Sequence, residues 1–320
     1  MQIEPSLKAS NKTTHEVDSP TKTLQGWHAK GKCPEGTVPI RRVRKVDILR
    51  GASVESFGKK HPSFHISREN EEPADTVSNG HEHSVVVQSG DRYYGANADI
   101  NLWSPRVRPN DFSLSQIWII SDESIQNTAE VGIMVYPKLY GDYESRLFVY
   151  WTADDYKSTG CYNLICSGFV QVSNSIALGT AFSPPSTYEG VQYSITIFII
   201  KDPKSGHWWL SVGGYWVGYW PDSLLPDLRN GALYVEWGGE VYNDDYQQGS
   251  TTTEMGSGHF AEEGAMKAAF FDNLQTADVN GKFQYPTSLR AIVEKPKCYN
   301  LVAGDKYFYY GGPGKSAECP

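Results

Sequence analysis

The chain is short of several things, and each shortage narrows what it can be. Across 320 residues no window approaches the ~18 apolar residues that a membrane-spanning helix needs. Basic charge is in deficit: 29 Lys and Arg stand against 37 Asp and Glu, a net charge of −8 at pH 7. An acidic body argues against nucleic acid as a partner. No Cys-x-x-Cys pair suggests zinc, no strand followed by a Gly-rich turn and a helix supports a nucleotide, and there is no nucleophile elbow. The start, Met1-Gln-Ile-Glu-Pro-Ser6, has neither a basic n-region nor an apolar h-region, so no signal peptide is visible. Segments of helical period are scarce; 221–228 is at most a short turn of helix.

Aromatic residues are plentiful. The chain holds 9 Trp, 20 Tyr and 12 Phe, side chains that favour strands. Alternation of apolar and polar residues predicts strands at 145–151 and 193–200, with further runs at 83–87, 115–120, 169–172 and 208–212. Lys201-Asp-Pro-Lys-Ser-Gly206 reads as the turn of a hairpin. Many short strands separated by Gly, Pro, Asn and Asp turns indicate an all-β sandwich or barrel over 81–320. Residues 1–80 are polar, with one glycosylation sequon at Asn11. Within them only 33–57 is expected to be ordered, with a short strand at Pro39-Ile-Arg-Arg42 and a helical turn near 46–50. A loose linker is expected at 61–83.

Charge divides along the same line. Residues 1–75 carry 13 Lys and Arg against 10 Asp and Glu, and the remainder carries 16 against 27. A basic leader can bind an acidic body, although a solvated tail beside an ordinary acidic surface is the simpler expectation.

Two apolar runs contain acids where a core-facing strand should have none. One is Ala129-Glu130-Val131-Gly132-Ile133-Met134-Val135-Tyr136; the other is Val235-Glu236-Trp237-Gly238-Gly239-Glu240-Val241. A buried acid must be paired or used. By strand parity Glu130 shares a face with Gly132, Met134 and Tyr136, and Glu236 shares one with Glu240 unless a Gly-Gly bulge intervenes. Acids from two β segments are the ingredients of a paired-carboxylate site. Alone, each is more simply a solvent-facing strand residue. Trp209 and Tyr215, with their aromatic neighbours, offer platforms for a sugar or an extended peptide, and Tyr136 and Glu236 are further groove candidates; core packing is the plainer use of such aromatics. His81-Glu82-His83 has no evident third metal ligand and reads as linker, so neither metal nor cofactor is expected. Ser257 and His259 form no recognisable triad.

Cys161 and Cys166 flank a compact loop, Cys298 and Cys319 sit near the C-terminus, and Cys33 is left over. Four body cysteines fit two disulfides in an oxidising compartment; otherwise they lie reduced and buried.

Several of these stretches together resemble the plant neprosin family of glutamic peptidases. Cys33-Pro-Glu-Gly-Thr-Val-Pro-Ile-Arg-Arg42 looks like its activation-segment signature. Phe112-Ser-Leu-Ser-Gln-Ile-Trp118, Gly160-Cys-Tyr-Asn-Leu-Ile-Cys-Ser-Gly-Phe169, Trp237-Gly-Gly-Glu240, Met255-Gly-Ser-Gly-His259 and Tyr309-Tyr-Gly-Gly-Pro-Gly314 look like its catalytic domain. The resemblance implies an all-β fold, an antiparallel concanavalin-like β-sandwich at 81–320 behind an activation segment at 1–80. It implies a catalytic pair of Glu130 and Glu240, disulfides Cys161–Cys166 and Cys298–Cys319, and a propeptide that inhibits in cis. It also implies a secreted, acid-active, monomeric endopeptidase for proline-containing peptides, and that the front of the prosegment with its signal peptide is missing. One departure stands beside Glu130: the family usually reads Ala-Gly-Trp where this chain has Val131-Gly132-Ile133, which puts the groove's shape and activity at issue.

Paired carboxylates suit such chemistry, because two close together cannot both ionise easily; one serves as base toward water and the other as acid. Two other readings use the same residues. A lectin-like or peptide-binding module would need the sandwich without the chemistry, and a polysaccharide hydrolase also needs two acids.

Overall fold

In the computed structural model, residues 4–6, 24–31, 33–51, 53–60, 79–121 and 126–320 are described. Asn11 lies outside them. The body is an antiparallel β-sandwich. One sheet has six strands in the order Leu289–Val293, His81–Gln88, Tyr234–Tyr242, Phe112–Ile120, Thr128–Val135 and Arg146–Thr152. The other, of ten strands, runs through Ala269–Ala277, Gly95–Asn101, Ser194–Lys201, Trp208–Val212 and Tyr215–Trp220. Most expected strands are present; the turn at 201–206 does join an antiparallel pair.

Alternation explains the core. From the six-stranded sheet Val86, Ile117, Ile119, Val131, Ile133, Val149, Val235 and Trp237 point between the sheets, where they meet Ala98, Ile197, Ile199, Leu210 and Val217. Each such side chain contributes roughly 1.5–3 kcal/mol on burial. Ile133 therefore lies in the sandwich interior, on the face opposite Glu130, and does not shape the groove.

The six-stranded sheet is buried on its second face as well. Val85, Val87, Leu114, Trp118, Met134, Tyr136, Phe148 and Tyr150 form a separate cluster there, covered in part by Phe57 and Ile165. Burial on both faces accounts for strands that read as nearly continuous apolar runs.

The N-terminal segment departs from its expected form. Leu24–Gln25 pairs with Phe182–Ser183, so order begins upstream of 33. Pro39-Ile-Arg-Arg42 is irregular, held by the Pro39 carbonyl accepting from Gln171 Nε2 at 2.9 Å. A helix at Lys45–Arg50 follows, its N-terminal Arg44 N–H donating to Asp47 Oδ2 at 2.8 Å. Nor is the leader simply a solvated tail. Arg41 lies 5.3 Å from the Tyr140 ring centroid and donates to the Tyr140 carbonyl at 3.0 Å. The expected linker also ends earlier, because His81–Gln88 is an inner strand of the six-stranded sheet.

Candidate active site

Register sets the site. Across the sheet, Glu236, Trp118, Glu130 and Tyr150 lie on one level, and His83, Glu240, Leu114 and Met134 on another, four residues away along the strands. The level between them holds Gly238, Gln116, Gly132 and Phe148. The Tyr234–Tyr242 ladders run without a shift, so no bulge intervenes and Glu236 and Glu240 share a face. Glu240, Gln116 and Glu130 thus form a diagonal across three adjacent strands. Glycines flank Gln116 on both sides and keep the floor open. A Cβ on Gly132 would collide with the Ser115 carbonyl, and one on Gly238 with the Ser84 carbonyl.

Lys60 joins the two acids. Its ammonium lies 2.8 Å from Glu240 Oε2 and 3.3 Å from Glu130 Oε2, with all three side chains essentially inaccessible to solvent. The Lys60 backbone N–H donates to the Tyr150 hydroxyl at 3.2 Å, and the Tyr162 N–H to the Gly58 carbonyl at 2.7 Å. The stretch Gly58–Lys60, entered through a turn with Gly58 at φ +81°, therefore lies in the groove and is tied to its wall at both ends. Beside it a cavity of about 240 Å³ is bounded by Phe57, Gly58 and Lys60 on one side and by Tyr136, Leu139 and Tyr156 on the other.

The remaining oxygens are occupied too. Glu130 Oε1 accepts from the Tyr156 hydroxyl at 2.5 Å and from Thr128 Oγ1 at 2.9 Å, while Gln116 Nε2 donates to Oε2 at 2.9 Å. Glu240 Oε1 bonds His81 Nδ1 at 2.5 Å. His83 Nε2 stands 3.8 Å from Glu240 Oε2, and its Nδ1 is 3.0 Å from Glu294 Oε2.

Electrostatics follow from this packing. Burial disfavours the Glu240 carboxylate, but the Lys60 ammonium and the His81 bond outweigh it and hold the carboxyl well below its usual range. Burial likewise opposes charge on Lys60, and the charges of Glu130 and Glu240 overcome it, raising its pKa. Burial lowers His81 despite Glu240. For His83 burial is outweighed by the charge and hydrogen bond of Glu294 and by Glu240, and its pKa rises to about 9.

The structure brings together Glu130 and Glu240, and with them Tyr136 and Glu236 on the same face. Glu236 is buried rather than solvent-facing. Trp209 and Tyr215 belong elsewhere. Both lie on the ten-stranded sheet; Trp209 packs with Ile200 and Tyr219, and Tyr215 is 44% exposed beside a hairpin turn. Their aromatic character mimicked a platform, but the other sheet carries the groove. The pairs Cys161–Cys166 and Cys298–Cys319 are bonded and Cys33 is free. Among the described residues no cluster of three or more His, Cys, Asp or Glu could hold a metal ion.

Lys60, Gln116, Tyr156, His81 and His83 are additions to the site. The period-2 pattern His81, His83, Val85, Val87 on one face could have shown the two histidines to be strand residues. Gln116, inside an apolar run, carried the same anomaly as Glu130. Nothing local marks Lys60.

Residues 109–313 match Neprosin, and residues 1–87 match the Neprosin activation peptide. Among solved structures, the chain is similar to a scytalido-glutamic peptidase bound to a peptide-based transition-state analogue. They share 10% identity over 73% of this chain and 98% of that one, with a TM-score of 0.40. It is also similar to SCP-B, a member of the Eqolisin family of peptidases, in complex with the tripeptide Ala-Ile-His. There the identity is 10% over 72% and 96% of the two chains, with a TM-score of 0.38. With residues 109–313 matched to Neprosin and residues 1–87 to its activation peptide, the chain belongs to the Neprosin family and carries that family's activation peptide ahead of the sandwich.

Proposed function

We propose that the protein is a secreted, monomeric, acid-activated endopeptidase for proline-containing peptides, whose catalytic pair is Glu130 and Glu240. The observation that carries this reading is Lys60, whose ammonium bridges the two carboxylates at 2.8 and 3.3 Å. A cation buried between two acids fills the place a polarised water would take, and the same stretch holds groove hydrogen bonds available to a substrate backbone. Removal of the N-terminal segment would free both.

The reaction then needs one carboxylate and one carboxyl. The ionised group takes a proton from water as that water attacks the scissile carbonyl. The protonated group donates to the developing oxyanion and then to the leaving amine. In the working state one proton is held between the two groups. Above neutral pH both are anionic and the acid is lost, so activity is confined to acid.

Docking responds to pH with a definite sign. The Glu240 carboxyl is depressed in the docked state, so its contribution is complete above the ordinary value of 4.5 and disappears as pH falls through the lower, docked value. Acid therefore begins to weaken the plug below about pH 4.5, while full loss of this contribution needs much stronger acid than arms the pair. A cut within the stretch 61–78 would release it.

The test is to hold the full chain in acid, follow shortening of its N-terminus by mass spectrometry, and offer proline-containing and proline-free peptides. Shortening with cleavage of the proline-containing set supports the proposal. Absence of any cutting, together with binding on a glycan or peptide array, overturns it in favour of a binding module.

A further inference from the structure

Removing Lys60 creates a problem that its neighbours are placed to solve. Glu240 Oε1 keeps its bond to His81, whose Nε2 has no partner among the described residues and whose basicity burial lowers, so His81 serves as a neutral donor. Glu240 Oε2 loses its 2.8 Å ion pair. Among the described residues the cationic side chain facing that oxygen is then His83, with Nε2 at 3.8 Å. That is too long for a hydrogen bond and short enough for one after a small rotation. The His83 side chain is mostly buried, at 12% exposure, with its ring between those of His81 and Trp118.

His83 is held from behind. The Glu294 carboxylate accepts from the His83 backbone N–H at 2.7 Å and meets Nδ1 at 3.0 Å, which leaves Nε2 aimed at Glu240. The arrangement is carboxylate–imidazole–carboxylate, with the outer acid fixing the ring's orientation and its charge.

We propose that His83, oriented by Glu294, is a positioning residue that replaces Lys60 as the counter-cation of Glu240 once the N-terminal segment leaves. This role rests on the peptidase reading above, and it gives the opened groove a built-in substitute for the charge it loses. With Glu294 and Glu240 on either side of it, His83 stays protonated up to about pH 9, so the charge is present throughout the acid range. Among the described residues the other titratable groups facing Glu240 are Lys60, which departs, Glu130, which repels, His81, whose pKa burial lowers, and the hydroxyls of Tyr156 and Tyr162, whose pKa values burial raises well above the usual range. None of these supplies a cation.

The plainer alternative is that His83 and Glu294 only pin the edge strand Leu289–Val293 to its neighbour. A titration separates the two. In the full chain carrying Lys60→Ala and Glu130→Gln, the Glu240 carboxyl is followed by 13C NMR against pH. Adding His83→Gln should raise its midpoint by about one pH unit, a tenfold gain in proton affinity, and His83→Lys should restore it. Glu294→Gln should bring the His83 imidazole down from about 9 toward its ordinary 6.5. A Glu240 midpoint unmoved by His83→Gln overturns the proposal. On the acid-processed enzyme, the acid limb of kcat/KM should shift upward in His83→Gln and return in His83→Lys; a uniform loss with the limb unmoved also overturns it. If the processed wild type cuts no peptide, the peptidase reading fails while the NMR titration still decides the role of His83.

Discussion

Lys60→Met keeps the length and apolar stem of the side chain and removes its charge, leaving Glu130 and Glu240 buried together without a counter-ion. A well-formed buried ion pair comes close to breaking even against an apolar replacement, so the damage lies in the charge left behind. That damage has a ceiling, because one carboxylate can take up a proton instead. From an ordinary value of 4.5 this costs about 3.4 kcal/mol at pH 7 and almost nothing at pH 4.5. Docking of Gly58–Lys60 should therefore weaken by roughly 300-fold at pH 7, and by no more than about threefold at pH 4.5. Hydrogen exchange reads this directly. The Lys60 amide bonds the Tyr150 hydroxyl and the Tyr162 amide bonds the Gly58 carbonyl, so both lose protection when the segment lifts. After correction for intrinsic exchange, protection at position 60 and at Tyr162 should fall steeply at pH 7 and little at pH 4.5. Equal loss at both values would refute the reasoning, since the charge would then not be the cause.

Three other expectations follow from the geometry. Gly132→Ala forces a methyl into the Ser115 carbonyl and should cost roughly 2–3 kcal/mol in a denaturant melt, with the groove disturbed beside Glu130. Replacing Cys298 and Cys319 by serine opens a loop with a sequence separation of 21 and should lower unfolding free energy by about 3 kcal/mol, measured under non-reducing conditions. Tyr215→Ala should leave kcat/KM for peptides unchanged, because the residue lies on the other sheet; a drop beyond twofold would return it to the groove.

The sandwich was legible because its strands advertise themselves. Alternation at 193–200 and the hairpin turn at 201–206 need no distant partner to be read, and Glu130 stood out because charge on an apolar strand violates the local pattern. What stayed hidden depends on long-range contact. Lys60 follows Lys59 in a polar stretch, and its partners lie 70 and 180 positions away. His81 and His83 looked like linker because polar residues on a groove face resemble a loop, although their spacing was already that of a strand. Trp209 and Tyr215 misled in the opposite sense: composition marks aromatic residues without saying which sheet holds the cleft. Ile133 looked like a groove defect and proved to be core, since neighbours in a strand point to opposite faces.

The central claim is that Glu130 and Glu240 act as one water-activating pair beneath the Lys60 plug. Its most direct test compares the wild type with Glu130→Gln and Glu240→Gln, each as the full chain held at about pH 4, where a carboxyl–carboxylate pair is half-armed. The account predicts that the wild type shortens its own N-terminus and cleaves proline-containing peptides, and that each variant stays folded and does neither. Cleavage that persists at the wild-type rate in either variant would contradict it.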